Sequence, residues 1–400
     1  MRRGPFGHRD FRLLFLGRTT SFVGNAFANV ALAFAVLELT GSKADLGYVL
    51  AARSLPQVLF LLAGGIWADR LPRHRVMVVS NVVSGLSQAV VAALLLSGHA
   101  RIWQLGALAA ANGASSAFFF PASTGIVPQT VPRPLLQSAN ALLRLGLNSS
   151  FIGGAALGGL IVGATSPGVG IACDAGSFFL AALFTVLIRI PASLRMEGST
   201  FFADLGEGWR EFSSRPWLWA IVAQFGFVNA AEQGCTQVLG PAIAKAHLGG
   251  AAAWGLVLTA QSLGLLAGGL LLLRLRPRRL LLAATLGFLL TIPFLLALSV
   301  PVALVAVVAA AAIGGIGTEI FGVLWETTLQ QEISQEKLSR VSAYDALGSY
   351  VLIPLGVAVA GPVAQAIGTR EAILGAATLS LTVTLAVLLV RDVRTIERHA

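Results

Sequence analysis

The stretch LLLAATLGFLLTIPFLLALSVPVALVAVVAAAAIGGIG, residues 280–317, contains no charged side chain, and the charges nearest to it are Arg279 and Glu319. About 20 consecutive apolar residues carry a helix across the hydrocarbon core of a bilayer. The stretch therefore suffices for two crossings with a turn near Pro301. Lipid offers backbone N–H and C=O groups no water, which restricts spanning structures to helices or a closed barrel. A barrel would show alternating strands of about ten residues, and these leucine, alanine and valine runs do not alternate. Similar runs recur from end to end. Hydrophobic residues make up 56% of the 400 and charged residues 12%, about half the charge of a water-soluble domain. The expected fold is an all-α, multi-pass integral membrane protein.

Apolar runs between polar breaks give twelve spans. The first six lie near 11–39, 44–68, 75–98, 102–128, 138–165 and 169–190. The second six lie near 217–244, 251–273, 280–299, 302–327, 340–366 and 371–390. The basic start, MRRGPFGHRDFRLLF, leads into a long span without a convincing cleavage site, so it reads as the first membrane helix. Between the two sets lies the longest polar stretch, 191–216. There Phe201, Phe202, Leu205, Trp209 and Phe212 recur at helical spacing opposite Glu207, Arg210 and Glu211, the pattern of an amphipathic helix on a membrane surface. The expected organisation is an N-terminal six-helix bundle over 1–190, a cytoplasmic linker over 191–216 and a C-terminal six-helix bundle over 217–400. Cys173 and Cys235 lie in apolar runs without metal or redox spacing and read as packing residues.

Charge sets the expected sidedness. With both termini cytoplasmic, the outer loops keep four of the 28 lysines and arginines: Lys43, Arg101, Lys245 and Arg370. Arg18, Arg53 and Arg144 fall within spans, and the remainder gather on the inner side. Positive charge accumulates on the cytoplasmic face of membrane proteins. The net charge of +10 therefore reads as topology in a cell (plasma) membrane rather than as affinity for nucleic acid.

The halves repeat. LLAGG occurs at 61–65 and again at 265–269, each time at the cytoplasmic end of the second span of its half and just before an arginine cluster. Parallel repeats of this kind place a substrate site between the halves near the membrane midplane. In the first copy, Gly64 and Gly65 allow close helix approach. Asp69, followed by Arg70, Arg73 and Arg75, offers a carboxylate to a neighbouring arginine or helix N-terminus. A contact of that kind, made in one arrangement of the halves and broken in another, is a conformational latch; the alternative is that the arginines fix topology alone. The second copy keeps Gly268, Gly269 and Arg274 but has Leu273 in place of the acid.

Gly65-Ile-Trp-Ala-Asp69-Arg70-Leu-Pro-Arg73-His-Arg75 resembles the signature between spans two and three of the major facilitator superfamily of transporters. Further stretches resemble the bacterial drug-efflux branch that includes macrolide and enterobactin exporters. They are FRLLFLGRTTSFVGNAFANVALAFAVLELTGS near the start, AFFFPASTGIVPQTVP at 117–132, QSANALLR at 137–144, TLQQEISQEKLSRVSAYDAL at 328–347 and PLGVAVAGPVA at 354–364. The resemblance implies a two-bundle fold that moves small molecules by alternating access. Two positions depart from that branch. Asn25 stands where an acid often occurs in the first span, so no proton-carrying role transfers to it. In the fifth span Gly154, Gly158 and Gly159 resemble the antiporter motif, with Ala155 replacing its proline; the packing glycines remain and the kink is lost.

A charge at the centre of a span costs roughly 2.5–3.5 kcal/mol on insertion scales, so those that persist should line a cavity or meet a partner. Glu232, in NAAEQGCTQ, and Glu319, in GGIGTEIFG, are candidates for proton coupling or substrate contact, with Asp174 behind them. A carboxylate shielded from water and cations there can exchange protons near neutral pH; the alternative for each is a structural hydrogen bond or ion pair. Arg18, Arg53 and Arg144 read as organisers of charge pairs rather than as anion binders. Asn25, Asn29, Gln57, Asn112 and Gln233 are candidates for a polar cavity. Phe119, with Phe118, Phe120, Pro121, Phe225 and Phe227, is a candidate for an apolar wall.

The function expected from these features is proton-coupled efflux of lipophilic or amphiphilic small molecules by a monomer that needs no cofactor or metal. The alternatives are uptake of a nutrient and siderophore export. One proton descending 100 mV yields about 2.3 kcal/mol, and a hundredfold gradient costs about 2.8 kcal/mol, so proton drive is of the right size. No phosphate-binding Gly-x-x-x-x-Gly-Lys-Ser/Thr loop occurs to support ATP drive. The histidines, at 8, 74, 99, 247 and 399, all sit at span edges or tails, which disfavours a membrane enzyme.

Overall fold

Helices dominate because every apolar run must satisfy its own backbone in lipid. The computed structural model describes residues 4–132, 135–189, 206, 209–275, 277–300, 303–333 and 335–397; the side chains of 61–70, 137, 141, 273, 335–340 and 343 lie outside that description. In the first half run α1 (Arg9–Thr40), α2 (Lys43–Arg70), α3 (Arg73–Leu96), α4 (Ile102–Gly125), α5 (Leu136–Ala164) and α6 (Pro167–Val186). In the second run α7 (Pro216–Gln233), α8 (Ala251–Arg274), α9 (Leu280–Phe288), α10 (Ile292–Ser299), α11 (Leu304–Glu332), α12 (Gln335–Tyr350), α13 (Ile353–Ile367) and α14 (Thr369–Val387). Among the described residues, nine helices are long and apolar enough to cross a membrane. Three further helices, α2, α4 and α7, fall between them in chain order. The last two carry polar residues mid-run, Asn112, Ser115 and Ser116 in α4 and Asn229, Glu232 and Gln233 in α7, which lowers their hydropathy. Most of the expected linker, 191–216, lies outside the described residues; at its end Trp209 stacks on Phe212 with centroids 5.8 Å apart.

Helix ends follow local chemistry. At the end of α1, Gly41 adopts φ 67°, the left-handed conformation that suits glycine. Ser166 caps α6, its hydroxyl accepting from the Val169 N–H at 3.4 Å ahead of Pro167 at the first helical position.

The chain divides into two compact units, one comprising Met1–Met196 with Ala244–Thr259 and the other Glu197–Ile243 with Ala260–Ala400. The division passes through the expected linker between 196 and 197 and also cuts α8 between Thr259 and Ala260. Within the first unit, α1 packs on α5 and α6, α3 on α4 and α6, and α2 on α4. Within the second, α7 packs on α12, α13 and α14, while α9 and α10 pack on α11, and α10 on α14. With α9 and α10 forming one span and α12 and α13 another, the pairings of the first unit recur in the second, that of α2 on α4 as the glycine contacts of α8 with α11. The internal repeat read from LLAGG is thus a repeat of helix packing.

Lipid is as apolar as leucine, so these helices associate by close backbone approach at small residues. A methyl group on Gly154 would stand 2.5 Å from Ala26 Cβ, and one on Gly158 would stand 2.9 Å from Phe27 Cα, so both glycines seat α5 on α1. Gly159 faces Ala251 and Gly255 at 2.8 and 2.9 Å by the same measure. These two residues belong to the segment 244–259 within the first unit, where Lys245 also donates to the Leu37 carbonyl at 2.7 Å. In the second unit Gly264 lies against the Ala312 carbonyl and Gly315 against that of Gln261.

Of the cysteines, Cys235 is buried and Cys173 exposed. The packing reading therefore holds for Cys235 and is corrected for Cys173, which sits on the outer face of α6.

Candidate functional site

The polar residues of the first unit converge because α4 can press directly against α2. Gly113 faces the backbone carbonyl of Arg53, and any side chain there would collide with it. That contact sets Arg53 opposite α1. Its guanidinium donates through Nη2 to Asn25 Oδ1 at 3.1 Å and through Nη1 to Asn29 Oδ1 at 3.2 Å. The asparagines lie one turn apart, so one arginine meets both. Asn25 is oriented by its own Nδ2, which donates to the Ser21 carbonyl at 3.0 Å. Arg53 is expected from the sequence to organise a charge pair; its hydrogen bonds go to amides, while its charge attracts Asp174.

Around this cluster lies a cavity of ≈ 210 Å³. Asn25, Asn29, Arg53 and Gln57 form its polar wall, with Phe119 and Phe120 from α4 and Phe151 from α5 on the apolar side. The helix α3 adds Ser80, Asn81 and Ser84, which the sequence reading passed over. Their signal was a stripe, Ser80, Ser84, Ser87 and Gln88, at helical spacing in an otherwise apolar span. Asn81 is 2% exposed, and its Nδ2 has no hydrogen-bond partner. Asn112 does not line the cavity. It is 2% exposed in the helix packing, with both amide atoms unpartnered.

Asp174 lies on α6, one turn before Phe178, which also lines the cavity. It is fully buried and accepts from Gln88 Nε2 at 2.5 Å and from Ser177 Oγ at 3.5 Å. A side chain at Gly24 would strike both Asp174 and Ser177, so glycine lets α6 dock there. Asp174 is close enough to Arg53 for their charges to attract, but it receives no hydrogen bond from it. Arg18 donates to the Ser123 carbonyl at 3.3 Å and sits over the Phe22 ring at 5.7 Å.

The other acids belong to the second unit. Glu232 stands in the last turn of α7, immediately before the π-helical run Gly234–Leu239. Such wide turns are frequent at functional sites. Its Oε1 is shielded and has no hydrogen-bond partner, and the same holds for the Thr291 hydroxyl that faces it. Gln233 accepts from Gln237 Nε2 at 2.5 Å and Asn229 donates to the Ser349 carbonyl at 2.9 Å. Glu319 packs against the second LLAGG: a methyl group on Gly268 would stand 3.0 Å from its Cβ. Phe225 belongs to an aromatic cluster, 4.2 Å from Phe321 and 5.1 Å from Phe288 between centroids.

Of the proposed latch, Gly65, Asp69 and Arg70 lie on α2, and their side chains fall outside the described residues. Arg75 is exposed. Arg73, at the start of α3, donates to the Gly125 carbonyl at 2.5 Å. Gly125 is the last residue of α4, so the arginine meets the negative end of that helix.

An amide and aromatic cavity inside a helical bundle, with no metal-ligand cluster of three or more His, Cys, Asp or Glu among the described residues, suits binding of an organic molecule. Known proteins agree with a transport scaffold. The Major Facilitator Superfamily model matches residues 14–244. The multidrug efflux pump Tap of Mycolicibacterium fortuitum is 28% identical over 390 residues, 93% of this chain and 92% of its own length. The enterobactin exporter EntS of Salmonella typhimurium is 26% identical over 373 residues, covering 90% of this chain and 88% of its own. The crystal structure of the nucleoside transporter NupG superposes with a TM-score of 0.75 at 15% identity, over 95% of this chain and 98% of that one. The last shows the shared fold; the family match, spanning more than half the sequence, shows that the chain belongs to the Major Facilitator Superfamily.

Proposed function

We infer that this multi-pass membrane transporter is a proton-coupled exporter of lipophilic or amphiphilic small molecules. It resides as a monomer in the cell membrane with both termini in the cytoplasm, and works by alternating access. The observation that carries the reading is the cavity wall of the first unit, where phenylalanines stand opposite Asn25, Asn29, Arg53 and Gln57. Such a wall takes an apolar body and orients it by a few polar contacts. Relatives named for drug and siderophore export support the outward direction. Glu232 is the preferred proton carrier, because its unpartnered oxygen makes the neutral, protonated form a stable alternative inside the membrane. Asp174 is the weaker candidate, since its oxygens already hold Gln88 and Ser177. Glu319, packed beside Gly268 and Gly269, suits a role in transmitting movement between α8 and α11.

A pump-deficient host expressing the protein, grown against a panel of toxic compounds, should reveal the substrates as those whose inhibitory concentration rises. Inverted vesicles from that host should then accumulate the same compounds when an acid interior is imposed. Accumulation that occurs only in right-side-out vesicles would reverse the assigned direction, and indifference to the pH gradient would remove the proton.

A further inference from the structure

We propose that the cavity of the first unit selects a small aromatic anion, of the phenylacetate or benzoate class, through Arg53 and Asn81. The inference rests on the export reading for the route of that molecule but not for its binding.

Charge comes first. Among the described residues lining the cavity, Arg53 is the one that carries charge, and no carboxylate joins it. A guanidinium has five N–H donors in a planar fork, and Arg53 uses two of them, on Asn25 and Asn29. Each amide oxygen it meets gives one of its two lone pairs to the guanidinium, which leaves three N–H groups of Arg53 without a bond to these asparagines. Asn81 adds a second, independent observation. It is 98% buried, lines the cavity, and its Nδ2 has no partner. A buried donor left without an acceptor is costly, and turning the Asn81 side chain toward the cavity it lines would offer that donor to an anionic oxygen drawn by Arg53. A cationic ligand would meet Arg53 as a like charge.

Size and shape complete the class. Phe22, Phe119, Phe120 and Phe151 supply ring faces. An apolar cavity of about 150 Å³ accepts benzene, so ≈ 210 Å³ holds one ring with its acidic substituent. Asp174 does not compete for the arginine by hydrogen bonding, as Gln88 and Ser177 hold its oxygens; its charge attracts Arg53 and tempers the site. An inside-negative membrane potential favours exit of such an anion.

The test uses the full chain in phosphatidylcholine nanodiscs, titrated with three probes of one shape: phenylacetate, phenylacetamide and phenethylammonium. Phenylacetate should bind about tenfold tighter than the ammonium. Arg53→Gln should erase that preference while changing phenylacetamide affinity less than about threefold, and Asp174→Asn should tighten phenylacetate about threefold. Asn81→Leu, which does not depend on Arg53, should weaken phenylacetate and phenylacetamide alike. Equal or tighter binding of the ammonium overturns the proposal, as does a preference that survives Arg53→Gln or a failure of all three probes to bind. Repeating the titration in phosphatidylglycerol separates a free anion from a lipid headgroup: unchanged affinity supports the proposal, and loss of phenylacetate binding to that lipid overturns it. Binding with this pattern but without movement in inverted vesicles would strike the export reading alone.

Discussion

The two units share a set of helix pairings yet treat buried polarity in opposite ways. In the first, Gly113 brings α4 onto α2 and sets Arg53 among amides, beside a cavity. In the second, Gly264 and Gly315 bring α8 onto α11 by the same kind of contact, but the residue against Gly315 is the neutral Gln261. Among the unpartnered buried groups of the second unit is a carboxylate, Glu232, beside a π-helical turn. The scaffold contact was kept and the chemistry diverged: the first unit holds a cation among amides with the hydrogen-bonded acid Asp174 near it, the second an acid whose Oε1 has no partner. One half suits holding a substrate, the other suits holding a proton.

The comparison can be broken most severely at its shared contact. Gly113→Val should destabilise the protein by about 3 kcal/mol or more, since the new side chain meets rigid backbone rather than a movable side chain. Gly315→Val should cost as much, and thermal unfolding in detergent reads both. A mild effect at either would mean that the units do not rely on the same approach. Next in size is the functional divergence: Glu232→Gln should cut pH-gradient-driven accumulation by more than about tenfold, a loss of about 1.4 kcal/mol in the transport barrier, with probe binding in the first unit unchanged. Retained coupling would move the proton elsewhere, and Asp174→Asn would then be the variant to examine. Arg73→Ala should lower stability by about 1–2 kcal/mol through loss of its charged hydrogen bond to the end of α4. Smallest of all, Gly153→Ala should raise stability by about 0.5–1 kcal/mol, because nothing lies within 4 Å of the added carbon and the residue is inside α5.

Hydropathy and the lack of alternation made the helical membrane fold readable, because 38 uncharged residues in lipid must form helices or a closed barrel, and a barrel would alternate. The glycines of the fifth span were equally visible, as close approach in membranes favours small residues. The cavity was legible in part. Asn25, Asn29, Gln57 and Phe119 all line it, since a polar or bulky residue in an apolar helix stands out. Asn112 stood out as strongly and does not line it, because a helix apolar all round does not show which face meets which neighbour. The serines of α3 were missed for the opposite reason: serine is small, and its hydroxyl can satisfy itself on its own helix, as Ser87 does on the Ser84 carbonyl at 2.9 Å. The bond from Gln88 to Asp174 joins residues 86 apart in sequence, a pairing that spacing cannot express. For the same reason the two amides one turn apart that accept from Arg53 were not legible as its partners, though a charge pair for it was expected.

The account stands or falls on whether the transported molecule occupies the cavity beside Arg53. With Cys173 and Cys235 replaced by serine, Asn29→Cys on the cavity wall and Leu160→Cys, 59% exposed on α5, can each be alkylated by a membrane-permeant maleimide. A compound that the vesicles accumulate should slow labelling at position 29 by about tenfold at saturation and leave position 160 unchanged. Equal rates at position 29 with and without that compound would contradict the account.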